Sequence, residues 1–192
     1  RPPKQGNDNM KTHARVVVIG GGVVGVSTLY HLTRKGWSDV TLLERTELTA
    51  GSTWHAAGLL PLFNMSYTVG QLHKYSVDLY KRLPAETGQE VGFHVTGNLR
   101  LATCRDRMDE YFKYCGTANT IGVPFQIISP AEVAALWPLV NLGDGVDTPK
   151  IVGALYHPDD GHIAPVDLTM ALRRGARMAG ARNIVAIEPV VE

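Results

Sequence analysis

Two short apolar runs flank a segment of helical periodicity near the start of the chain. Val16–Ile19 is β-branched throughout, and Val40–Leu43 is a second, mostly apolar run. Between them, apolar residues recur at helical spacing: Val26, Leu29, Tyr30 and Leu32. Gly36 follows them as a helix stop. The pattern predicts a βαβ unit whose first strand is buried on both faces, as in a parallel sheet.

Four more helices are predicted from the rest of the chain. They cover Gly70 to Leu83, about Arg105 to Thr120, a short stretch that must end before Pro138, and Pro165 to Gly180. The short helix starts at a capping box, Ser129-Pro130-Ala131-Glu132. The expected inward residues of the three longer helices are Leu72, Tyr75, Ser76, Leu79 and Leu83, then Met108, Phe112 and Cys115, and finally Leu168, Ala171, Leu172 and Ala176.

Strand-like runs alternate with these helices. They are Asn98–Ala102, Val123–Ile128, Ile151–Tyr156 and Ile184–Ile187, and a turn-rich stretch follows the third. The order predicts four segments: a flexible tail at 1–14, a βαβ unit with its following loop at 15–60, a mixed α+β excursion at 61–162, and a returning helix and strand at 163–192. We expect part of the excursion to form a second layer.

The turn after the first apolar run is rich in glycine. Gly20-Gly21-Gly22-Val23-Val24-Gly25 matches the spacing G-x-G-x-x-G, with Gly20, Gly22 and Gly25 at the fixed positions. The first glycine permits a sharp turn, the second lets the backbone approach a pyrophosphate, and the third lets the helix pack closely on the sheet. The N–H groups at the helix start would face the pyrophosphate.

An acidic residue supports the nucleotide interpretation. Glu44 ends the second strand, nineteen residues after Gly25, where a carboxylate can accept hydrogen bonds from the ribose hydroxyls of an adenosine. Glu44 would repel a 2′-phosphate, although the adjacent Arg45 leaves an NADP site open. The alternative is an ordinary βαβ unit whose glycines serve packing alone.

Bulk composition excludes several classes of function. With 192 residues, 44% of them hydrophobic, the chain can bury a sizeable core, and its formal net charge of +1 gives no electrostatic reason to bind nucleic acid. No apolar stretch approaches the roughly 18 residues that a membrane span needs. The two cysteines, Cys104 and Cys115, are expected to be reduced thiols.

His55 is the residue with the most specific chemical implication. It lies in the run Gly51-Ser52-Thr53-Trp54-His55-Ala56-Ala57-Gly58, eleven residues after Glu44, at a distance where a flavin ring rather than a nicotinamide would lie. The run therefore suggests a tethered flavin. The alternative is a packed loop histidine that donates a hydrogen bond to a backbone carbonyl group.

These motifs together resemble the sarcosine and dimethylglycine dehydrogenase family of FAD-dependent amine oxidoreductases. The resemblance runs from about Arg15 onward, and it is carried by Gly20–Gly25, Glu44, Leu48–Leu59, Glu86–Gln89, His157–Pro165 and Leu168–Leu172. It implies an α/β fold: a Rossmann-like FAD-binding domain of the glutathione-reductase-like, or D-amino-acid-oxidase-like, class. That domain would be truncated here and would carry an inserted α+β portion of a substrate domain.

The resemblance also implies a cofactor site in which His55 is bonded covalently to FAD. A histidyl bond should raise the flavin's potential and so help it accept a hydride from an N-methyl carbon. The residues expected to contact FAD are Gly20, Gly22, Val23, Val24, Gly25, Glu44, Arg45, Gly51, Ser52, Thr53, Trp54, His55, Ala56, Ala57, Gly58, Leu59 and Val190. We identify no catalytic base, because no residue of the sequence qualifies for that role. We also identify no metal site, because the turn-forming His157–His162 fits no standard zinc spacing.

The implied reaction is oxidative N-demethylation of a small N-methylated amino acid, with dimethylglycine favoured and sarcosine as the alternative. An electron-transfer flavoprotein is a candidate acceptor, and tetrahydrofolate enters only if a folate-binding C-terminal half is present. Family chains continue well past residue 192, so we expect the 192 residues alone to be inactive. A non-catalytic regulatory or nucleotide-binding module of the same fold is the alternative from another class. We favour a bacterial cytoplasm, with the mitochondrial matrix as the alternative.

Overall fold

The computed structural model describes residues 13–181 and 183–186, and these divide between two compact units. The first unit takes the described residues up to Ala56, then Leu83–Glu90, and those from Pro165 onward. The second takes Ala57–Arg82 and Val91–Ala164. The predicted tail at 1–14 lies outside the described residues except for His13 and Ala14.

The described residues form five helices and nine strands. In chain order they are β1 (Val16–Ile19), α1 (Val23–Arg34), β2 (Val40–Glu44), β3 (Leu59–Leu60), α2 (Tyr67–Thr87), β4 (His94–Val95), β5 (Asn98–Ala102), α3 (Arg105–Ile121), β6 (Gln126–Ile128), α4 (Pro130–Leu136), β7 (Gly153–His157), β8 (Gly161–His162), α5 (Pro165–Met178) and β9 (Asn183–Ala186). Each predicted helix is present, and the capping box at Ser129 is formed.

The first unit is built on a parallel sheet of order β1-β2-β9. Val16 pairs with Val40 and Thr41 with Asn183, so the last described strand returns to the βαβ unit. Helices α1 and α5 pack closely, because Gly175 leaves room for the Tyr30 ring: a Cβ at Gly175 would lie 2.6 Å from it. The four predicted inward residues of α5 are all buried: Leu168, Ala171, Leu172 and Ala176.

The prediction that β1 is buried on both faces is wrong for the described structure. Val17 is 49% exposed and Ile19 is 84% exposed, whereas Val40 and Leu42 of β2 are buried. β1 pairs only with β2 among the described strands, so it forms an edge of the sheet. An apolar run therefore identified the strand correctly but did not identify what covers each of its faces.

The second unit contains an antiparallel sheet of order β5-β7-β6 with a helix on each face. Successive residues of β7 point to opposite faces. Leu155 packs in one cluster with Tyr111, Tyr114 and Ala118 of α3, and Ala154 packs in another with Val133 of α4. These two clusters give the unit its apolar interior.

Three inward residues predicted for α2 and α3 are wrong. Leu72 and Tyr75 are 62% and 46% exposed, because α2 turns Gly70 and Val77 toward the end of α3 instead. A Cβ at Gly70 would overlap the Ile121 side chain, so that close approach fixes the rotation of the helix. Phe112 is 56% exposed because α3 buries residues at 111, 114, 118 and 121, and consecutive residues of a helix point about 100° apart.

The turn-rich stretch His157–His162 contains the short strand β8, which joins β3 and β4 in a small antiparallel sheet of order β3-β8-β4. Leu59 pairs with His162, which also pairs with His94 on its other side. The strands approach closely at Gly161, where a Cβ would overlap the His94 carbonyl oxygen. No helix in the described part of the chain is long and apolar enough to cross a membrane.

Three titratable side chains are buried together in the second unit. The Tyr114 hydroxyl lies 3.0 Å from His157 Nε2 and donates to the Leu62 carbonyl oxygen over 3.4 Å, while Asp160 Oδ1 accepts the Leu62 N–H over 2.9 Å. Burial, with a smaller contribution from the Arg100 charge, lowers the pKa of His157 to about 4. Burial raises the pKa of Asp160 to about 6, although the Leu62 N–H and the Arg100 charge oppose that rise.

These two pKa shifts predict opposite contributions to stability between about pH 4 and 6.5. Because its pKa is raised, Asp160 adds to the free energy of unfolding at low pH, and this contribution is lost as the pH rises toward 6. Because its pKa is lowered, His157 adds to the free energy of unfolding above pH 6.5, and this contribution is lost as the pH falls toward 4. In the wild type the two should largely cancel. In urea unfolding, Asp160→Asn should therefore gain stability with rising pH relative to wild type, and His157→Gln should lose it.

Parallel pH profiles for the wild type and both variants would contradict this assignment. Lys81→Ala serves as the control, because it removes an exposed ion pair with Asp159 and leaves the buried groups in place.

Candidate functional site

The first unit has an open cleft of about 940 Å³ at the carboxyl ends of β1 and β2. In open parallel sheets this edge is where ligands bind. The cleft is lined by Gly20, Gly22, Val23, Val24, Glu44, Arg45, Thr46, Glu47, Ala50, Gly51, Ser52, Thr53 and Ala56. Its size falls in the range of small-molecule sites.

The glycines at the bottom of the cleft are required by backbone geometry. Gly20 has a φ of +104°, which side chains rarely tolerate. A Cβ at Gly25 would overlap the Gly20 carbonyl oxygen, so only glycine lets α1 start this close to the strand. Gly25 itself does not line the cleft; its role is the packing role that the fingerprint assigns to its third glycine.

Thr53 provides the cap that the start of α1 lacks. The N-cap residue, Gly22, has no side chain, and the Thr53 hydroxyl accepts the Val23 N–H over 2.9 Å from thirty residues away. A Cβ at Gly22 would lie 3.0 Å from that hydroxyl. The N–H groups of Val24 and Gly25 come before the first intrahelical hydrogen bond, which runs from the Val26 N–H to the Gly22 carbonyl oxygen. They and the positive end of the helix dipole are therefore available to an anion.

Glu44 lies on the wall of the cleft as a carboxylate with two separate sets of donors. Its Oε1 accepts the Thr46 N–H and hydroxyl at 3.0 and 3.2 Å, and its Oε2 accepts the Gly21 N–H at 2.6 Å. The hydrogen bond from the Thr46 backbone, followed by that from Gly21, holds the pKa of Glu44 below its usual value. An ionised carboxylate with remaining lone pairs can accept hydrogen bonds from a ribose diol.

Sequence reasoning missed the residues that shape the loop after β2. Thr49 is buried in the left-handed region, with a φ of +72°, and its N–H donates to the Gly21 carbonyl oxygen over 3.0 Å. Only glycine, asparagine and aspartate adopt this conformation readily, so no sequence signal marks a threonine there. Thr46, Glu47 and Ala50 also line the cleft without having been predicted, and only their place beside Glu44 and Gly51 could have indicated them.

His55 is exposed and its ring rests on Trp54, with 3.9 Å between ring centroids. Its Nδ1 lies 3.1 Å from the Gly51 carbonyl oxygen. Because a carbonyl can only accept, Nδ1 must carry the proton, which leaves the Nε2 lone pair unprotonated in the neutral ring. The carbonyl contact expected of an ordinary loop histidine is therefore present, but the ring is not packed into the interior.

The predicted site residues divide into three groups. The cleft brings together ten of them: Gly20, Gly22, Val23, Val24, Glu44, Arg45, Gly51, Ser52, Thr53 and Ala56. Six others are not among its lining: Gly25, Trp54, His55, Ala57, Gly58 and Leu59. The last three of these begin the second unit. Val190 lies outside the described residues.

The cleft fits the nucleotide part of a flavin dinucleotide. The fit rests on a glycine turn that lines the cleft, an adjacent helix start, and an ionised carboxylate at the end of β2. Among residues 13–181 and 183–186, no group of three or more His, Cys, Asp and Glu side chains is arranged to hold a metal ion.

Comparison with known proteins agrees with this geometry. The family model described as FAD dependent oxidoreductase matches residues 15–191. The human mitochondrial dimethylglycine dehydrogenase is 47% identical over 182 residues, which is 94% of this chain and 20% of that protein. The mouse pyruvate dehydrogenase phosphatase regulatory subunit is 38% identical over 173 residues, or 90% of this chain and 19% of that protein. The chain thus spans about a fifth of the length of these relatives.

A solved structure extends the comparison to the fold. L-proline dehydrogenase from P. horikoshii superimposes with a TM-score of 0.81 at 27% identity, over 91% of this chain and 44% of that one. The predicted fold class is confirmed, as is the resemblance to the dimethylglycine and sarcosine dehydrogenases. By its sequence over nearly its whole length and by its fold, this chain belongs to the family of FAD-dependent oxidoreductases.

Proposed function

We propose that the chain is part of an enzyme that oxidatively removes an N-methyl group from dimethylglycine, with FAD bonded covalently to His55. The observation that carries the proposal is the exposed imidazole of His55. It lies in the loop between Thr53 and Ala56, two residues that line the cleft fitted to a dinucleotide. The 47% identity to a dimethylglycine dehydrogenase supports the choice of substrate.

The chain's own residues would hold the nucleotide at three points. The first turn of α1 offers N–H groups to the pyrophosphate. Glu44 accepts hydrogen bonds from the ribose, and its ionised state disfavours a 2′-phosphate at that position. Ser52 and Thr53 supply hydroxyl groups at the loop side of the cleft, and the Thr53 proton stays available because its oxygen is the acceptor for Val23.

His55 would bond to the flavin through Nε2. The Nδ1–H bond to Gly51 fixes the tautomer, so Nε2 has the free electron pair that a bond to carbon requires. The contact with Trp54 restricts the ring's orientation before the cofactor arrives. FAD bound in this way would accept a hydride from the N-methyl carbon, leaving an iminium ion that water or tetrahydrofolate captures.

Other parts of the proposal rest on the longer protein. Tetrahydrofolate belongs to it only if a folate-binding C-terminal half is present, and an electron-transfer flavoprotein is the proposed acceptor. We assign the role of catalytic base to none of the described residues. The proposed compartment is a bacterial cytoplasm, with the mitochondrial matrix as the alternative. The human relative is mitochondrial.

A second function is favoured by one specific observation. The chain is 38% identical to a regulatory subunit of pyruvate dehydrogenase phosphatase, so this sequence type also occurs in a protein named for regulation. A non-catalytic nucleotide-binding module is therefore the alternative from another class, and sarcosine dehydrogenase is the alternative within the same class.

The tether predicts a mass change that depends on a single residue. Denatured wild-type protein should carry an increment of roughly 785 Da, the mass of bound FAD, and His55→Ala should lack it. Intact-mass spectrometry measures both. His94→Ala, which removes another exposed histidine, should keep the increment. An increment that survives in His55→Ala would locate the bond elsewhere.

Substrate choice is tested by reducing the flavin without oxygen. Because the 192 residues alone are expected to be inactive, the test uses the FAD-loaded holoenzyme of the longer protein. Dimethylglycine added to it anaerobically should bleach the flavin absorbance faster than sarcosine does. Betaine is the matched control, because its quaternary nitrogen has no lone pair with which to form an iminium ion. Faster bleaching by sarcosine would select the within-class alternative. A loaded protein that none of the N-methyl amines reduces would favour the regulatory module.

The cap on α1 predicts a difference between two substitutions at Thr53. Thr53→Val removes the acceptor for the Val23 N–H and should cost about 1 kcal/mol of unfolding free energy, together with weaker FAD binding. Thr53→Ser keeps the hydroxyl and should retain most of both. Urea unfolding and flavin titration measure the two effects, and equal behaviour of the two variants would show that the hydroxyl is not the cap.

A further inference from the structure

Two histidines lie opposite each other on neighbouring strands of the small sheet in the second unit. His94 of β4 and His162 of β8 are direct partners in the antiparallel ladder, although they are far apart along the chain. Direct partners place their side chains on the same face of a sheet. Both side chains are exposed, so that face is open to solvent. The register therefore brings together two imidazoles that no local spacing in the sequence reveals.

The two rings are close enough to share one ligand. Their centroids are 5.1 Å apart. A tetrahedral metal ion that binds two imidazole nitrogens at about 2.0–2.1 Å holds the ring centroids about 5 Å apart. The observed separation therefore fits two nitrogens of a single coordination sphere.

The backbone around the two histidines is held by the sheet. β8 is the central strand, with β3 on one side and β4 on the other. A Cβ at Gly161 would overlap the His94 carbonyl oxygen, so glycine is needed for β8 and β4 to approach this closely. The N–H groups of Thr96 and Gly97 donate to the Asp160 carbonyl oxygen at 3.1 and 2.9 Å and so extend the ladder. Binding an ion therefore has to order only the two rings.

Imidazole nitrogen determines which ions the two histidines would take. Among the described residues, neither ring has a hydrogen-bond or ion-pair partner, so its nitrogens are available. Neutral imidazole suits Cu²⁺, Ni²⁺ and Zn²⁺, whereas Mg²⁺ and Ca²⁺ prefer oxygen ligands. No third His, Cys, Asp or Glu side chain joins them within the described part of the chain. The other coordination positions would therefore be filled by water, as in an open site rather than a closed structural one.

We infer that His94 and His162 form a chelating site for one divalent transition-metal ion, with Cu²⁺ bound more tightly than Ni²⁺ or Zn²⁺. Of the turn-rich stretch 157–162, only His162 takes part. A bound ion would join β4 to β8 by a link beyond the backbone ladder, and it would stabilise the folded second unit. The site lies within that unit alone, and it depends neither on the proposed tether nor on the proposed substrate.

Calorimetric titration with Zn²⁺ tests the site in the holoenzyme of the longer protein, after a chelator has removed bound metal. Wild type should bind one ion more than the double variant His94→Ala/His162→Ala. Each single variant should lose at least about tenfold in affinity at this site, because it keeps only one of the two ligands. Since one ion needs both rings, either single variant should behave like the double variant. Mg²⁺ should not displace Zn²⁺.

Two control variants come from the same unit. His73→Ala removes a histidine from α2, and Leu59→Ala removes the other partner of His162 in the ladder. Both should bind Zn²⁺ as wild type does. At ten times the dissociation constant, Zn²⁺ should slow hydrogen exchange of the Thr96 and Gly97 amides about tenfold in wild type and in both controls. It should leave that exchange unchanged in the two single variants.

A copper spectrum gives a reading that needs no substitution. With one equivalent of Cu²⁺, electron paramagnetic resonance of wild type should show two imidazole nitrogens bound to the ion. A single bound nitrogen, or single variants that each lose a separate ion, would overturn the chelate. Full Zn²⁺ affinity in both single variants would overturn the site altogether. None of these results bears on the proposed function, whose failure would appear as a wild-type protein without covalent FAD.

Discussion

The close approach of helix α1 to the end of strand β1 is the constraint on which the site depends. It exists because Gly25 has no side chain to meet the Gly20 carbonyl oxygen, and Gly20 can hold a φ of +104°. This contact places the first turn of the helix at the floor of the cleft, where its N–H groups face an open volume of about 940 Å³. A side chain at Gly25 would separate the helix from the strand and remove the anion site, and one at Gly20 would strain the turn.

The loop after β2 is fixed against this floor by polar contacts from both sides. Glu44 accepts the Gly21 N–H, Thr49 donates to the Gly21 carbonyl oxygen, and Thr53 accepts the Val23 N–H. The glycine turn and the loop therefore satisfy one another's backbone groups, and Thr49 keeps its unfavourable φ of +72° within this arrangement. The wall of the cleft is therefore held together by hydrogen bonds between the glycine turn and the loop.

Sequence patterns predicted the helices and strands well, but they predicted less well which side chains of those elements are buried. The glycine spacing, Glu44 and the capping box at Ser129 each depend on local chemistry, and each lies where it was expected. The wrong inward positions, Leu72 and Phe112, share another cause. Periodicity identifies an amphipathic helix, but a single glycine contact or a one-residue rotation decides which apolar side chains are buried. Hydrogen bonds between distant residues, such as Val23 to Thr53, leave no pattern in the sequence.

A hydrogen bond between distant residues also allows a buried acid to coexist with a well-packed interior in the second unit. Burial favours the neutral forms of both Asp160 and His157. When the Asp160 carboxyl group ionises near neutral pH, hydrogen-bond donors are needed to stabilise its buried charge. Leu62 supplies one such donor, and Arg100 supplies a nearby positive charge. The Leu62 hydrogen bond thus serves two needs at once: it lowers the cost of the buried carboxylate, and it fixes the backbone at Leu62.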